Sequence, residues 1–404
     1  MSTTINKFLA WIRSGAFLKK TGLAIALWFG LSLIAVMLNV RGNTLNNFII
    51  FKHVYLHTIQ QTNLYIEYPQ QYSDVNLYGP FFSIVMAPFS FLPDKAGVIL
   101  WVLLNVSALY YAIRDLPVEK TAQNTILILS SHEMMTASSW LQSNGLTAAC
   151  IILTFTSLHK GKEGYAAFYL LLATFIKIYG IVGLAFFFFS GKPLRFIAWL
   201  IVWSIVFFTA PMLISSADFI LQSYGDWKQA LIQKSAKNIR LDIHNDYQDI
   251  SMMGLIRRIF FPALKDSFVI IPALIAFATQ YMQYRFFNNT SLRLYILCSV
   301  LLFTVIFSTG SESPTYIIAF PAVCLWYILQ PKNAWANAML VFALLLTSFS
   351  YSDIFTPWVR THIARPYALK ALPCCILWIT IIVQIHKRQF LHAQEILKKE
   401  LSPA

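Results

Sequence analysis

Residues 22–40 of the chain read GLAIALWFGLSLIAVMLNV, and residues 41–80 continue as RGNTLNNFIIFKHVYLHTIQQTNLYIEYPQQYSDVNLYGP. The first segment is long and apolar enough to cross a bilayer, which takes roughly 20 mostly apolar residues. The second segment is too polar for hydrocarbon and too rich in Tyr, Phe and Asn for a solvated linker. This order predicts a membrane span followed by a large outer loop that builds a site.

The composition excludes a soluble domain, because 57% of the 404 residues are hydrophobic and only 12% are charged. Segment 22–40 is interpreted as a span and not as a cleaved signal peptide, since it is too long and no small-x-small site follows it. We predict an all-α, polytopic membrane protein with about 12 transmembrane helices, at 22–40, 96–113, 124–139, 144–158, 164–176, 178–190, 193–214, 267–285, 292–308, 316–330, 334–349 and 367–386.

The basic residues predict the orientation of the chain. Lys177 interrupts the apolar run 165–189, so we expect a hairpin of two short helices that leaves HKGKEG at 159–164 and GKPLR at 191–195 on the inner face. Most of the net charge of +14 then lies inside, as the positive-inside rule requires, and no nucleic acid is needed to explain it. The outer loops are 41–95, 215–266 and 350–366, and the Pro-rich segment 79–92 is expected to be re-entrant or interfacial.

Two patterns in the first outer loop have competing interpretations. Phe48, Phe51, Tyr55 and Ile59 recur at helical spacing, which predicts a short interfacial helix with its rings at headgroup depth. The i, i+4 histidines 53 and 57 could hold a metal, but no third ligand is evident, so we expect no metal.

Several charged residues suit a phosphate-linked, lipid-anchored substrate. Lys177 is costly inside a helical hairpin unless it faces a cavity or a partner. Arg257 and Arg258 would grip phosphate through their planar forks, or alternatively extend to lipid headgroups. Glu133 and His132 lie inside a span, where they pair with each other or with the backbone, or else relay protons. The five cysteines lie in apolar runs and are interpreted as packing residues.

A series of short motifs resembles glycosyltransferase family 87. They are NNFIIF (46–51), NLY (63–65), LYGPFFSIVMAPFSFLP (77–93), WLQSNGL (140–146), FIKIYG (175–180), QDISMMGLIRR (248–258) and ESPTY (312–316), in that order. The resemblance implies a GT-C fold, a site on the extracytoplasmic face and a polyprenyl-phosphate sugar donor, typically of mannose. It also implies a lipid or glycan of the cell envelope as acceptor. The sequence shows no dedicated cluster of metal ligands, so we expect no cofactor.

The resemblance also implies a carboxylate base in the first outer loop, where the family usually has an acidic residue at the position of Asn47. An amide cannot take up a proton, so the candidates for the base are Asp74, then Glu312, then Glu67. Asp74 has a competing interpretation as a turn-capping residue. The expected substrate-binding residues are Asn46, Asn47, Tyr78, Gln142, Asn144, Lys177, His244, Arg257 and Arg258.

We expect residues 1–404 to form one integral-membrane domain, in a bacterial inner membrane. A transporter or flippase of lipid-linked sugars is the competing class. It is less well supported, because no internal repeat accompanies the one broken helix pair. A catalytically inactive member of the family is the third possibility, because of Asn47.

Overall fold

The computed structural model describes residues 16–239 and 247–401, and every regular element in these ranges is helical. The main helices are α1 (Thr21–Gly42), α2 (Asn46–Gln60), α3 (Phe82–Ser90), α4 (Asp94–Arg114), α5 (Lys120–Ser139), α6 (Asn144–His159), α7 (Glu163–Ile176), α8 (Pro193–Thr209), α9 (Ala217–Asn238), α10 (Met252–Ile259), α11 (Ser267–Thr279), α12 (Thr290–Ile306), α13 (Phe320–Ile328), α14 (Ala334–Ala343), α15 (Leu372–His386) and α16 (Phe390–Leu401).

Shorter segments connect or extend these helices. They are the 3₁₀ helices Ala16–Lys19, Ile178–Phe189, Ala210–Leu213, Gln280–Phe286, Ser313–Ile317 and Leu369–Ala371, the π-helical segments Leu344–Phe349 and Arg360–Ala364, and the single turn Pro357–Val359.

Each of the twelve predicted spans coincides with helical structure. In the described part of the chain, five helices are long and apolar enough to cross a membrane, namely Thr21–Gly42, Asp94–Arg114, Pro193–Leu213, Ser267–Phe286 and Leu369–His386, and six shorter apolar helices accompany them. The predicted span 124–139 is not among these apolar helices, because α5 carries many polar side chains. The protein is therefore an all-α polytopic membrane protein, as predicted.

The helices differ in how much of their surface the protein itself covers. Nearly every residue of α6 and α12 is buried, so these two helices form the centre of the bundle. By contrast, α8 and α11 bury few side chains and expose broad apolar faces. A large exposed apolar face is unfavourable in water, so α8 and α11 face lipid.

The predicted helix break at Lys177 is confirmed, since α7 ends at Ile176 and a 3₁₀ helix begins at Ile178 with Lys177 extended between them. The two helices run antiparallel. Gly183 packs on Leu170, and the Ser190 hydroxyl donates to Glu163 at the far end of the pair. A Cβ on Gly183 would lie 3.1 Å from Leu170 Cγ, so the glycine allows the close packing.

The segment Ile178–Phe189 is a 3₁₀ helix of 12 residues, longer than most such helices. Residues 180, 183, 186 and 189 are buried, and residues 178, 181, 184 and 188 are exposed. The three-residue spacing of the buried positions matches the three residues per turn of a 3₁₀ helix, which leaves an exposed apolar face on the opposite side. With a rise of about 2.0 Å per residue, the segment is about 24 Å long. We call the exposed face, formed by Ile178, Ile181, Leu184 and Phe188, the apolar stripe.

The predicted interfacial helix exists as α2, but its environment was predicted wrongly. Phe48, Phe51 and Tyr55 are buried in the protein core, and Ile59 alone of the four is exposed. Phe51 packs edge-on against Tyr78 and Trp101, so the first loop is anchored on the bundle through this aromatic face. An interfacial position was expected because the periodicity of one helix does not reveal the tertiary contacts of the loop.

The two α2 histidines make hydrogen bonds within the first loop. His53 Nδ1 contacts the Ile49 carbonyl, and His57 Nε2 contacts the Gln71 side chain at 2.8 Å.

The carboxylate of α5 has a partner that the sequence analysis did not identify. Lys370 Nζ donates to both oxygens of Glu133, at 2.9 and 3.0 Å, and both side chains are buried. His132 instead contacts the Ser348 hydroxyl at 3.0 Å, with its ring nitrogen 4.0 Å from Glu133. The two residues of the ion pair are 237 positions apart, which is why a local pairing was expected.

The Glu133–Lys370 pair predicts an asymmetric response to mutation. Lys370→Met leaves a buried carboxylate without its cation, which we expect to cost about 3 kcal/mol and to lower the melting temperature in detergent. The double variant Glu133→Gln/Lys370→Met removes both charges and should recover most of the loss. Lys387→Met, at an exposed lysine, is the control. A double variant as unstable as the single one would contradict the pairing.

Candidate active site

A cavity of about 420 Å³ lies where the first loop, α9, the Lys177 break and the segment after α12 meet. Six of the sequence-predicted site residues line it, and they come from five separate parts of the chain: Asn47, Asp74, Tyr78, Gln142, Lys177 and Glu312. The cavity thus brings together two carboxylates and several neutral hydrogen-bonding groups with two lysines, Lys177 and Lys234.

The end of the first loop forms one wall of the cavity. The Gly79 amide donates to the Ile176 carbonyl at 3.2 Å, which attaches the loop to the end of α7. A Cβ on Gly79 would lie 2.4 Å from the Phe175 carbonyl oxygen, so this approach requires glycine. Tyr78 stacks on Phe82, and burial raises the pKa of Tyr78 to about 12. Its phenol is therefore neutral at physiological pH.

Lys177 is the cation at the centre of the wall formed by the hairpin. Its ammonium lies over the ring of Tyr179, 4.8 Å from the ring centre, and donates to Asn144 Oδ1 at 3.2 Å. No carboxylate in the described part of the chain forms an ion pair with Lys177. Its charge is therefore free to attract an anion in the cavity.

A chain of hydrogen bonds connects Lys177 to Glu312. Lys177 donates to Asn144 Oδ1, Asn144 Nδ2 donates to Gln142 Oε1 at 2.7 Å, and Gln142 Nε2 donates to Glu312 Oε2 at 2.8 Å. Every donor points away from the cation and toward the anion, so the dipoles add along the chain. The two amides hold the opposite charges apart and keep both at the cavity.

The second oxygen of Glu312 is also fixed. Gln248 Nε2 donates to Glu312 Oε1 at 2.7 Å. The two residues meet because the Ile250 amide donates to the Ser311 carbonyl at 2.8 Å, which joins the second loop to the segment after α12. Two glutamines therefore set the orientation of one carboxylate, a stronger constraint than a single contact provides.

Asp74 has a different environment from Glu312. It is exposed at the edge of the cavity, has a φ of 77°, and accepts a hydrogen bond from the Val75 amide at 2.8 Å. Aspartate tolerates this left-handed backbone and forms such local bonds in turns. The structure thus provides the turn geometry of the competing interpretation, although Asp74 still lines the cavity.

Asn47 is held by its nitrogen, because Nδ2 donates to the Trp140 carbonyl at 2.8 Å. A carboxylate at this position would place its oxygen against that carbonyl without a proton to share. The amide therefore suits the local contacts.

The other predicted site residues lie away from the cavity or support it indirectly. Asn46 Nδ2 donates to the Ser73 carbonyl, and Asn46 Oδ1 accepts a hydrogen bond from the Ser73 amide. Glu67 is exposed elsewhere in the first loop. Arg257 is fully buried and paired with Asp249 and Asp266. This pairing contradicts both expected roles of Arg257, in phosphate binding and in reaching lipid headgroups.

Arg258 acts on the site through the backbone. It donates to the Gln248 carbonyl at 2.7 Å and to the Arg365 carbonyl at 3.2 Å. These contacts hold the backbone of Gln248, whose side chain orients Glu312. Arg258 therefore supports the cavity indirectly. The predicted substrate contact of His244 lies outside the described residues.

Sequence reasoning did not select several residues that line the cavity, among them Asn76, Tyr179, Lys234, Asn238 and Gln248. Tyr179 and Gln248 lie inside motifs that were noticed, FIKIYG and QDISMM, but their type gave no reason to choose them. Asn238 is the last residue of α9, where no spacing signal marks it. Only the folded loops bring these positions together.

Comparisons with known proteins identify the family of the chain. No curated protein matches the chain. The model of glycosyltransferase family 87 matches residues 76–309, which is more than half of the chain and includes Lys177 and the Asn144–Gln142 pair. The match begins after Asp74 and ends before Glu312, so neither cavity carboxylate is inside it. The chain belongs to glycosyltransferase family 87.

Proposed function

We propose that this glycosyltransferase moves a hexose, most simply mannose, from a polyprenyl-phosphate donor to a lipid or glycan acceptor of the cell envelope. The reaction takes place on the extracytoplasmic face of a bacterial inner membrane. Residues 1–404 act as one integral-membrane domain, and membrane lipids surround it.

The observation that carries the donor class is the position of Lys177 next to the apolar stripe. Ile178 lines the cavity and is also 48% exposed, so one residue joins the polar cavity to the apolar surface outside it. A polyprenyl phosphate has the same order of parts, with an anionic phosphate beside a long apolar chain. We place the phosphate at Lys177 and the chain along the stripe toward Phe188.

The chemistry that fits this arrangement is a single displacement at the anomeric carbon. The acceptor hydroxyl oxygen forms a bond to that carbon, the bond from the carbon to the phosphate oxygen breaks, and polyprenyl phosphate leaves with the electron pair. The Lys177 ammonium stabilises the charge that develops on the leaving phosphate. The anomeric configuration inverts, because attack and departure occur on opposite faces.

We assign the general base to Glu312, with Asp74 second. A base must be held within hydrogen-bond reach of the proton that it takes. Glu312 has both oxygens oriented by glutamines at the cavity, whereas Asp74 is exposed and accepts from the adjacent amide. Asn47 cannot take the proton, and Glu67 does not line the cavity.

The assignment of the base predicts different effects of substituting the two carboxylates. Purified protein in nanodiscs is given polyprenyl-phosphate [¹⁴C]mannose with envelope lipids and glycans as acceptors. We expect Glu312→Gln to lower the rate of label transfer by about 10²–10⁴-fold, the usual contribution of a general base, and Asp74→Asn to lower it far less. Glu67→Gln is the exposed control.

The opposite order for these variants would move the base to Asp74. No transfer by the wild-type protein with mannose, glucose or arabinose donors would contradict the enzyme assignment and favour a transporter or an inactive member of the family.

The placement of the phosphate at Lys177 predicts a change in donor affinity. Lys177→Met removes the cation, so the KM for the polyprenyl-phosphate donor should rise by about 10- to 100-fold, which corresponds to the loss of one charge-assisted contact. Lys177→Arg should recover part of the affinity, because it keeps the charge. Lys192→Met, at an exposed lysine between the hairpin and α8, is the matched control. An unchanged donor KM in Lys177→Met would exclude Lys177 from phosphate binding.

A further inference from the structure

Two amide oxygens at the cavity have no hydrogen-bond donor. In the parts of the chain that the structure describes, Asn238 Oδ1 and Gln248 Oε1 are buried and accept no hydrogen bond. Both residues line the cavity, and Asn238 is only 4% exposed. A buried acceptor without a partner is unfavourable, so each such group in a folded protein calls for an explanation.

The orientation of the Asn238 amide is fixed by its other atom. Asn238 Nδ2 donates to the Thr309 carbonyl at 3.1 Å. A carbonyl only accepts hydrogen bonds, so the nitrogen must be the atom that faces it. Exchanging the two atoms would set oxygen against oxygen. Oδ1 therefore remains the unpaired atom.

The same reasoning fixes Gln248. Its nitrogen donates to Glu312 Oε1, and a carboxylate oxygen accepts this bond. The Gln248 side chain therefore presents Oε1 as its remaining polar atom. Both amides are thus constrained by separate partners to leave an acceptor oxygen unpaired at one cavity.

We infer that Asn238 Oδ1 and Gln248 Oε1 form a subsite that accepts hydrogen bonds from hydroxyl groups of a hexose ring. The inference rests on the proposed function and adds to it a determinant of sugar specificity. Because both groups at this subsite are acceptors, the ligand must supply donors. Of the three parts of a polyprenyl-phosphate sugar, only the sugar does so, since the ionised phosphate and the hydrocarbon chain have no hydrogen to give.

The subsite makes sugar recognition dependent on individual hydroxyls. A site built to bond a hydroxyl rejects an analogue that lacks it, because the buried acceptor is then left unpaired. A deoxy sugar that lacks the matching hydroxyl should bind about 10- to 100-fold more weakly. Removal of a hydroxyl that does not reach the subsite should have little effect.

The test measures ligand binding, and therefore does not require the acceptor to be known. Wild-type protein in nanodiscs is titrated with polyprenyl-phosphate mannose, with its 2-, 3-, 4- and 6-deoxy analogues, with polyprenyl phosphate that carries no sugar, and with methyl α-mannoside. The same series is then measured for Asn238→Leu, which has a similar shape but no amide. Gln233→Leu, at an exposed glutamine on α9, is the matched control.

We expect one deoxy analogue to bind the wild type more weakly than polyprenyl-phosphate mannose does. The same analogue should bind Asn238→Leu with the affinity that it has for the wild type. Binding of polyprenyl phosphate without sugar should be equal in both proteins, which shows that the variant is folded. If Asn238→Leu loses affinity only for polyprenyl-phosphate mannose, the subsite belongs to the donor sugar. If the variant loses affinity only for methyl α-mannoside, the subsite belongs to a sugar of the acceptor.

Equal binding of every deoxy analogue, or an Asn238→Leu protein that binds all ligands as the wild type does, would overturn the subsite. Failure of the proposed function gives a different result, because the wild-type protein would then bind neither polyprenyl phosphate nor its mannose conjugate.

Discussion

The break between α7 and the 3₁₀ helix is the feature on which the rest of the site depends. One extended residue, Lys177, joins two antiparallel helices, and the carbonyl of Ile176 is left to accept the amide of Gly79. That hydrogen bond attaches the first loop to the bundle and closes one wall of the cavity. The same break places a cation beside the polar wall and begins the apolar stripe at the next residue.

Charge separation is the second constraint. Lys177 and Glu312 are opposite charges at one cavity, and a direct ion pair would leave neither available to a substrate. The Asn144 and Gln142 amides bridge them with hydrogen bonds that all run in one direction, so each charge is stabilised without contact with the other. Asn47 is an amide bonded to the Trp140 carbonyl, and the oriented carboxylate, Glu312, comes from a segment more than 200 residues later.

The sequence predicted the helical class, the helices at the predicted spans and the break at Lys177, because these depend on local hydropathy and on the cost of a charge in an apolar run. It also selected six residues of the cavity, from the outer-loop carboxylates, the charge at Lys177 and the motifs that resemble the family. It did not predict the Glu133–Lys370 pair, the burial of α2, the pairing of Arg257 or the position of Asn238 at the cavity. Each of these depends on contacts between distant segments, which periodicity and residue type do not encode.

The central claim is that the cavity and the apolar stripe form one binding site for a lipid-linked donor. The most direct measurement is photo-crosslinking with a polyprenyl phosphate that carries a diazirine in its first isoprene units, followed by peptide mapping. The account predicts label within residues 178–188, displaced by unlabelled polyprenyl-phosphate mannose. Label that falls only on the outer faces of α8 and α11, without competition, would contradict it.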